Sequence, residues 1–239
     1  MNAIVANPLT ALQGKVAAGS LLTDEANREL YRHDVYSAGP APLAVFRPSS
    51  VEELAAGIGA ATAAGIAIVP RGGGMSYTGG YISPTANFIL IDTARLNRVI
   101  AVNETDMTVT VECGITWEEL RRELQPRGLR TRTWGTLSGI NATVGGGMSQ
   151  NGVFWGAGGG TVVDSALSFD VVLADGSVVS TGSSFFRPYG PDLTGLFAAD
   201  CGAFGVKARA TLRLVREGAA FAYGSFSFDN SDQLFAGMR

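Results

Sequence analysis

The chain has 239 residues, 46% hydrophobic and only 16% charged, with a formal net charge of −3. That balance describes a packed globular protein and excludes a disordered one, and the lack of a basic block argues against nucleic acid as a partner. A single histidine, His33, excludes a two-histidine zinc site, and two cysteines, Cys113 and Cys201, give neither a disulfide framework nor metal-ligand spacing.

Residues 1–22 lack the basic start and apolar run of a secretory signal. The weakly polar run 55–69 is too short to cross a bilayer and reads as a helix followed by a strand. A cytoplasmic protein in a reducing compartment, with no membrane span, is expected.

Residues 8–36 predict two short helices, the second opened by Thr23 with Asp24 and Glu25 in its first turn. His33 falls in this segment and reads as a surface or capping residue. After Pro40 and Pro42 comes a strand, Leu43–Phe46. Ser50-Val-Glu-Glu53 then has the spacing of a capping box, so a helix is expected from Val51 to about Ala64, stopping at Gly65. Ile66–Val69 and Phe88–Ile91 are further strands. Strand, capped helix and strand form a βαβ unit, which implies parallel pairing.

From Asn97 the pattern changes. Met107–Glu112 alternates with period two, as a half-buried strand does. Thr116-Trp-Glu-Glu119 is a second capping box, opening a helix that ends near Gly128. Two strands, Leu167–Ala174 and Val178–Thr181, flank Asp175-Gly176 and predict a hairpin. A short helix near Asp192–Ala199 leads to a strand over Lys207–Val215, and Phe221–Phe228 is expected to form one more.

Glycine supplies 32 residues, nearly twice the ~7% share of an average protein, clustered at 72–80, 145–160 and 176–205. The first cluster, Arg71-Gly-Gly-Gly-Met-Ser-Tyr-Thr-Gly-Gly-Tyr81, follows a buried strand. Such a loop brings bare backbone N–H groups up to a ligand, with no Cβ to hold a phosphate away. It reads as a pyrophosphate cradle beside Arg71, or as a plain turn. The second tract, Gly135 to Gly160, mixes glycines with Thr136, Ser138, Thr143, Ser149, Asn141, Gln150 and Asn151. This neutral surface of donors and acceptors suits a heteroaromatic ring and a ribityl chain, and so long a loop is uncommon without a function.

Two nucleotide signatures are absent. No Gly-x-x-x-x-Gly-Lys-Ser/Thr string occurs, and the glycines of 72–80 run into Tyr81-Ile-Ser-Pro84, which cannot open a Rossmann helix.

Four strings resemble the FAD-binding domain of the vanillyl-alcohol oxidase / p-cresol methylhydroxylase (PCMH-type) family, which includes D-lactate dehydrogenases, glycolate oxidase subunits and cytokinin dehydrogenases. They are Ala44–Pro48 with Ser50–Glu53, Pro70–Ser76, Ala142–Gly152, and Asp192–Phe197 with Gly202–Val206. The resemblance implies an α+β fold of two α/β lobes, a small parallel-strand lobe at about 40–100 and a larger, mostly antiparallel one at about 101–216, with FAD between them. Residues 1–39 would be an N-terminal helical segment, and 217–239 the start of a truncated substrate or cap domain.

It also implies roles. Backbone N–H groups of Gly72, Gly73, Gly74, Met75 and Ser76 would hold the pyrophosphate. Ser138, Thr143, Gly146 and Ser149 would contact the flavin side, and Val206 would bond the ring through its backbone. Arg71, Gly79, Gly145 and Gly205 would also belong to the cofactor site. Met75 stands where members with histidyl-linked flavin carry His, so non-covalent FAD is expected. The implied activity is oxidation of a small alcohol, 2-hydroxy acid or amine by hydride transfer to the flavin, with the electron acceptor open. The alternatives are a non-catalytic FAD-binding module awaiting its substrate domain or a partner chain, and a flavoenzyme similar to UDP-N-acetylenolpyruvoylglucosamine reductase. No residue of this chain stands out as a catalytic base. Cys113 and Cys201 read as inert packing.

Overall fold

Two sheets make up the protein, with one helix packed between them. The computed structural model describes residues 8–133, 138–152, 160–184, 190–220 and 222–239. In the first sheet the order is β1 (Leu21–Leu22), β2 (Ala44–Phe46), β4 (Phe88–Asp92), β3 (Ala67–Arg71). The last three pair in parallel, Ala44 beside Ile89 and Ala67 beside Phe88, as the βαβ pattern implies. Central β4 is covered on both faces, which is why Phe88–Ile91 is an unbroken apolar run. Strand β3 lies at the edge, where the missing N–H of Pro70 costs nothing. It therefore continues past Val69 to Arg71.

The N-terminal segment is only partly helical. It holds α1 (Thr10–Gln13) and α2 (Glu25–Tyr31), but β1 between them joins the first sheet antiparallel to β2. Asp24, not Thr23, caps α2, its carboxylate accepting from Asn27 N–H at 3.0 Å.

Helix α3 (Val51–Ala63) starts as read, with Ser50 Oγ accepting from Glu53 N–H. The Glu53 carboxylate reaches one residue further back than expected, to Ser49 N–H at 2.7 Å, and also takes Ala17 N–H at 3.0 Å. The helix has no residue to spare on either side. A Cβ at Gly57 would stand 2.3 Å from the Phe46 ring, and one at Gly59 3.0 Å from the Asp175 carbonyl. The Thr62 hydroxyl donates to the Ala174 carbonyl. One core thus runs through both halves, with Phe46, Ile58 and Ile89 joined to Val172, Val206 and Ala208. Each such large side chain is worth about 2 kcal/mol of burial.

The second sheet is antiparallel, in the order β5 (Val99–Asn103), β6 (Thr108–Glu112), β10 (Val206–Arg216), β8 (Ala166–Val172), β9 (Val178–Ser180), with β7 (Leu129–Thr131) pairing the far end of β10. The hairpin turns where expected, with Gly176 at φ +83°. Strands β5 and β7 were not legible. Helix α4 (Trp117–Leu124) carries a complete capping box, Thr116 and Glu119 each accepting from the other's backbone N–H. Such a cap is worth about 1 kcal/mol. Short helices α5 (Val144–Gln150) and α6 (Leu193–Leu196) complete the lobe, giving the two-lobed α+β arrangement expected.

The strand expected at Phe221–Phe228 does not form: residues 222–228 are exposed and pair with nothing, and Phe221 lies outside the described residues. Aromatic alternation there meets no neighbouring strand, and α7 (Ser231–Gly237) follows instead.

Candidate functional site: a cleft between two glycine segments

The two glycine segments meet backbone to backbone. A Cβ at Gly73 would lie 1.7 Å from the Asn141 carbonyl oxygen, and one at Gly72 2.3 Å from Thr143 Oγ1. Only glycine permits that approach. Between them opens a cavity of about 390 Å³.

Part of the second tract is a helix, not a loop. Thr143 caps α5, accepting Gly146 N–H at 3.2 Å, and Asn151 ends it in the left-handed region at φ 49°, ψ 58°. Three glycines in seven residues is a poor helix sequence. Contact decides it, because a Cβ at Gly145 would lie 2.8 Å from Cys113 Cβ and one at Gly147 2.9 Å from the Trp117 ring. Residues 134–137 and 153–159, and with them Thr136, lie outside the described residues.

The walls differ in what their amides do. On the α5 side Val144 N–H donates to Ile115 O, Gly145 N–H to Cys113 O and Gly147 N–H to Thr143 O, at 2.8–3.0 Å. Across the cleft the amides of Gly72 through Tyr77 donate to no acceptor among the described residues. A run of unpaired N–H groups along a cavity wall can receive an anion or water.

Of the predicted residues, Arg71, Gly72, Gly73, Gly74, Met75, Ser76, Ser138, Thr143, Gly145, Gly146, Ser149, Gly205 and Val206 all line this one cavity. Gly79 does not. Its N–H donates outward to Asp34 Oδ2 at 2.8 Å. Lining residues missed from the sequence include Cys113, Cys201 and Lys207.

Two cations, Arg71 and Lys207, line the cleft, and among the described residues no carboxylate does. Arg71 lies between two rings, 4.7 Å from the centroid of Tyr31 and 5.4 Å from that of Tyr81. Gly74, at φ +70°, leaves it room, since a Cβ there would lie 2.0 Å from a guanidinium nitrogen. Lys207 is buried. Its ammonium pairs with the buried Asp200 carboxylate and donates to Ser149 Oγ at 3.0 Å. Burial pushes the Cys113 thiol up to about 12 despite the opposing Lys207 charge, so it stays protonated and unreactive. Burial likewise raises the Tyr81 phenol. His33 bridges to Ala38 and does not line the cleft. No cluster of potential metal ligands occurs among the described residues, and no helix there is long and apolar enough to cross a membrane.

The family model for the FAD binding domain matches residues 42–182. The glycolate oxidase subunit GlcD of Bacillus subtilis is 28% identical over 80% of this chain and 41% of its own length. The probable mitochondrial D-lactate dehydrogenase of Danio rerio is 31% identical over 83% of this chain and 39% of its own. A D-2-hydroxyglutarate dehydrogenase of Xanthomonas citri is 29% identical over 86% and 44%. The chain therefore spans about two fifths of the length of the curated relatives it matches. Among solved structures, an alkyldihydroxyacetonephosphate synthase superposes with a TM-score of 0.79 at 21% identity, over 89% of this chain and 44% of that one. A p-cresol methylhydroxylase superposes at 0.75 and 17%, with the same coverage. The matched model and relatives place the chain in the FAD binding domain family, and its fold is shared with these two structures.

Proposed function

We propose that the cleft binds FAD non-covalently and that the protein oxidises a small 2-hydroxy acid, with an alcohol or amine as the wider class. The observation that carries the reading is the contrast between the two walls. The unpaired amides of Gly72 to Tyr77 fit a diphosphate. The opposite wall, with its amides already bonded, offers the hydroxyls of Ser138, Thr143 and Ser149 to a polar ring system. A cavity of about 390 Å³ lies within the range of small-molecule sites.

FAD, when bound, supplies two-electron acceptor chemistry. The chain's own residues would position it. Gly72 to Ser76 hold the diphosphate, Arg71 adds positive potential, and Gly145, Gly146, Gly205 and Val206 present backbone to the ring. Lys207 is held at a fixed point of the cleft by Asp200 and Ser149. Met75 has no nitrogen with which to form a histidyl-type bond.

The names of three relatives, oxidising glycolate, D-lactate and D-2-hydroxyglutarate, favour the 2-hydroxy acid. No carboxylate or histidine lines the cleft among the described residues, so a catalytic base would come from outside this chain's cleft. We read 217–239 as the beginning of the domain that supplies it. Its apolar side chains Tyr223, Phe226, Phe235 and Met238 are all exposed. That same lack of a base favours a second reading, a flavin-holding module that cannot turn over alone. The free thiols Cys113 and Cys201 suit a cytoplasmic setting.

The test is anaerobic. Purified protein is loaded with FAD and mixed with glycolate, D-lactate or D-2-hydroxyglutarate while flavin absorbance is followed. Bleaching supports the enzyme, bound but unbleached flavin supports the module, and protein that binds no flavin contradicts both.

A further inference from the structure

Two carbonyls of the 72–77 loop are held by donors. In a trans peptide the C=O of one residue and the N–H of the next point in opposite directions. The Gly74 carbonyl accepts from the Tyr81 hydroxyl at 2.8 Å, which sends Met75 N–H away from that hydroxyl. The Ser76 carbonyl accepts from Val35 N–H at 3.0 Å, which sends Tyr77 N–H away from Val35, a residue that does not line the cleft. Val35 belongs to a tight turn ahead of the region that the family model matches. That turn is organised by Asp34. Its Oδ1 accepts from Tyr36 N–H at 2.7 Å and Ser37 N–H at 2.5 Å, and its Oδ2 takes Gly79 N–H at 2.8 Å. One carboxylate therefore joins the N-terminal segment to the far end of the glycine loop.

We propose that Asp34 is a positioning residue for diphosphate binding: by bridging its own turn to Gly79 it presses Val35 N–H onto the Ser76 carbonyl and fixes the loop with its amides toward the cleft. This rests on the reading of the cleft as a nucleotide site. Asp34 touches no ligand itself, since it does not line the cavity. It acts through the orientation of the peptides between Gly74 and Tyr77.

The substitution that separates this role from a merely structural one is Asp34→Asn. Asparagine serves well in such a turn, because its one carbonyl oxygen can take the Tyr36 and Ser37 amides. Its NH2 then meets Gly79 N–H, donor against donor, and flipping the amide moves the conflict to the turn. Dissociation constants for FAD and for ADP are measured by titration on wild type and variant, alongside thermal melting. The expected result is a melt within a few degrees of wild type, with FAD and ADP each bound about tenfold more weakly, the loss of one charge-assisted hydrogen bond. ADP must weaken together with FAD, since the diphosphate is what they share. Affinities within twofold of wild type, or a loss for FAD with none for ADP, overturn the proposal. If Asp34→Asn does not fold, Asp34→Ser carries the same test, since one hydroxyl can serve the turn but cannot also reach Gly79: weakening of both ligands upholds the mechanism and wild-type affinity overturns it. Wild-type protein that binds neither ligand refutes the nucleotide reading itself, a different result from either.

Discussion

A β-carbon on Gly73 would sit 1.7 Å from the carbonyl oxygen of Asn141, closer than any real contact between such atoms. Residues 68 positions apart thus touch through bare backbone, and the cleft is shaped by that touch. Gly73→Ala must push the segments apart. FAD affinity is expected to fall at least tenfold and stability by about 1–3 kcal/mol, the usual cost of forcing atoms into a filled space. Gly79→Ala is the comparison. At φ +72° but with open space around it, it should cost only about 1 kcal/mol of backbone strain. Titration with FAD and urea unfolding of both variants check this, and equal effects would contradict the contact.

Lys207 and Asp200 form an ion pair with side chains only 2% and 0% exposed. Removing one partner of a buried pair strands the other charge, at a cost of about 3–5 kcal/mol. Lys207→Met is expected to lower the unfolding free energy from urea titration by that much. The double variant Lys207→Met/Asp200→Asn should recover part of the loss. A single variant as stable as wild type would mean the pair is not sealed from water.

Glu53 gives the fold a pH dependence. Burial works to raise its pKa, but donors from Ser49 and Ala17 outweigh this and lower it from 4.5 to about 2. A carboxyl depressed in the folded state stabilises above its unfolded pKa and loses that contribution as pH falls through the folded one. Wild type should therefore lose about 1–2 kcal/mol between pH 4.5 and 2 through this group, discounted for its partial exposure. Glu53→Gln should be less stable at pH 7 and flatter across that window. Acid titrations of unfolding free energy for the two proteins check the difference.

Met75 lines the cleft and packs against the second lobe's core. A thioether forms no histidyl-type link, so acid precipitation of FAD-loaded protein should leave a white pellet and a yellow supernatant. A pellet that stays yellow after washing would contradict non-covalent binding.

Local signals in the sequence were faithful where local chemistry decides. The Thr116–Glu119 box, the glycine stop at Gly65, the Asp175-Gly176 turn and the buried run of β4 all formed as read. The first glycine segment read as a pyrophosphate cradle or a plain turn, and the structure sets it along the cleft. What stayed hidden depends on distant contacts. Helix α5 has nearly the worst composition for a helix, and exists because Cys113 and Trp117 leave space only for glycine. Thr143 and Asn151 marked its two ends and could have been read as caps. Lys207 was legible only as the start of a strand. It is buried against an aspartate seven residues earlier, where β10 slips register against β8. The aromatic alternation at 221–228 had no partner strand to make it real.

The central claim is that one dinucleotide touches both glycine segments, and a crystal structure of the protein with FAD tests it most directly. The expected map has diphosphate oxygens within hydrogen-bonding distance of amides between Gly72 and Tyr77, and the isoalloxazine ring against Ser138, Thr143 and Ser149. A diphosphate bound elsewhere, or a ring lying away from the second segment, would contradict the account.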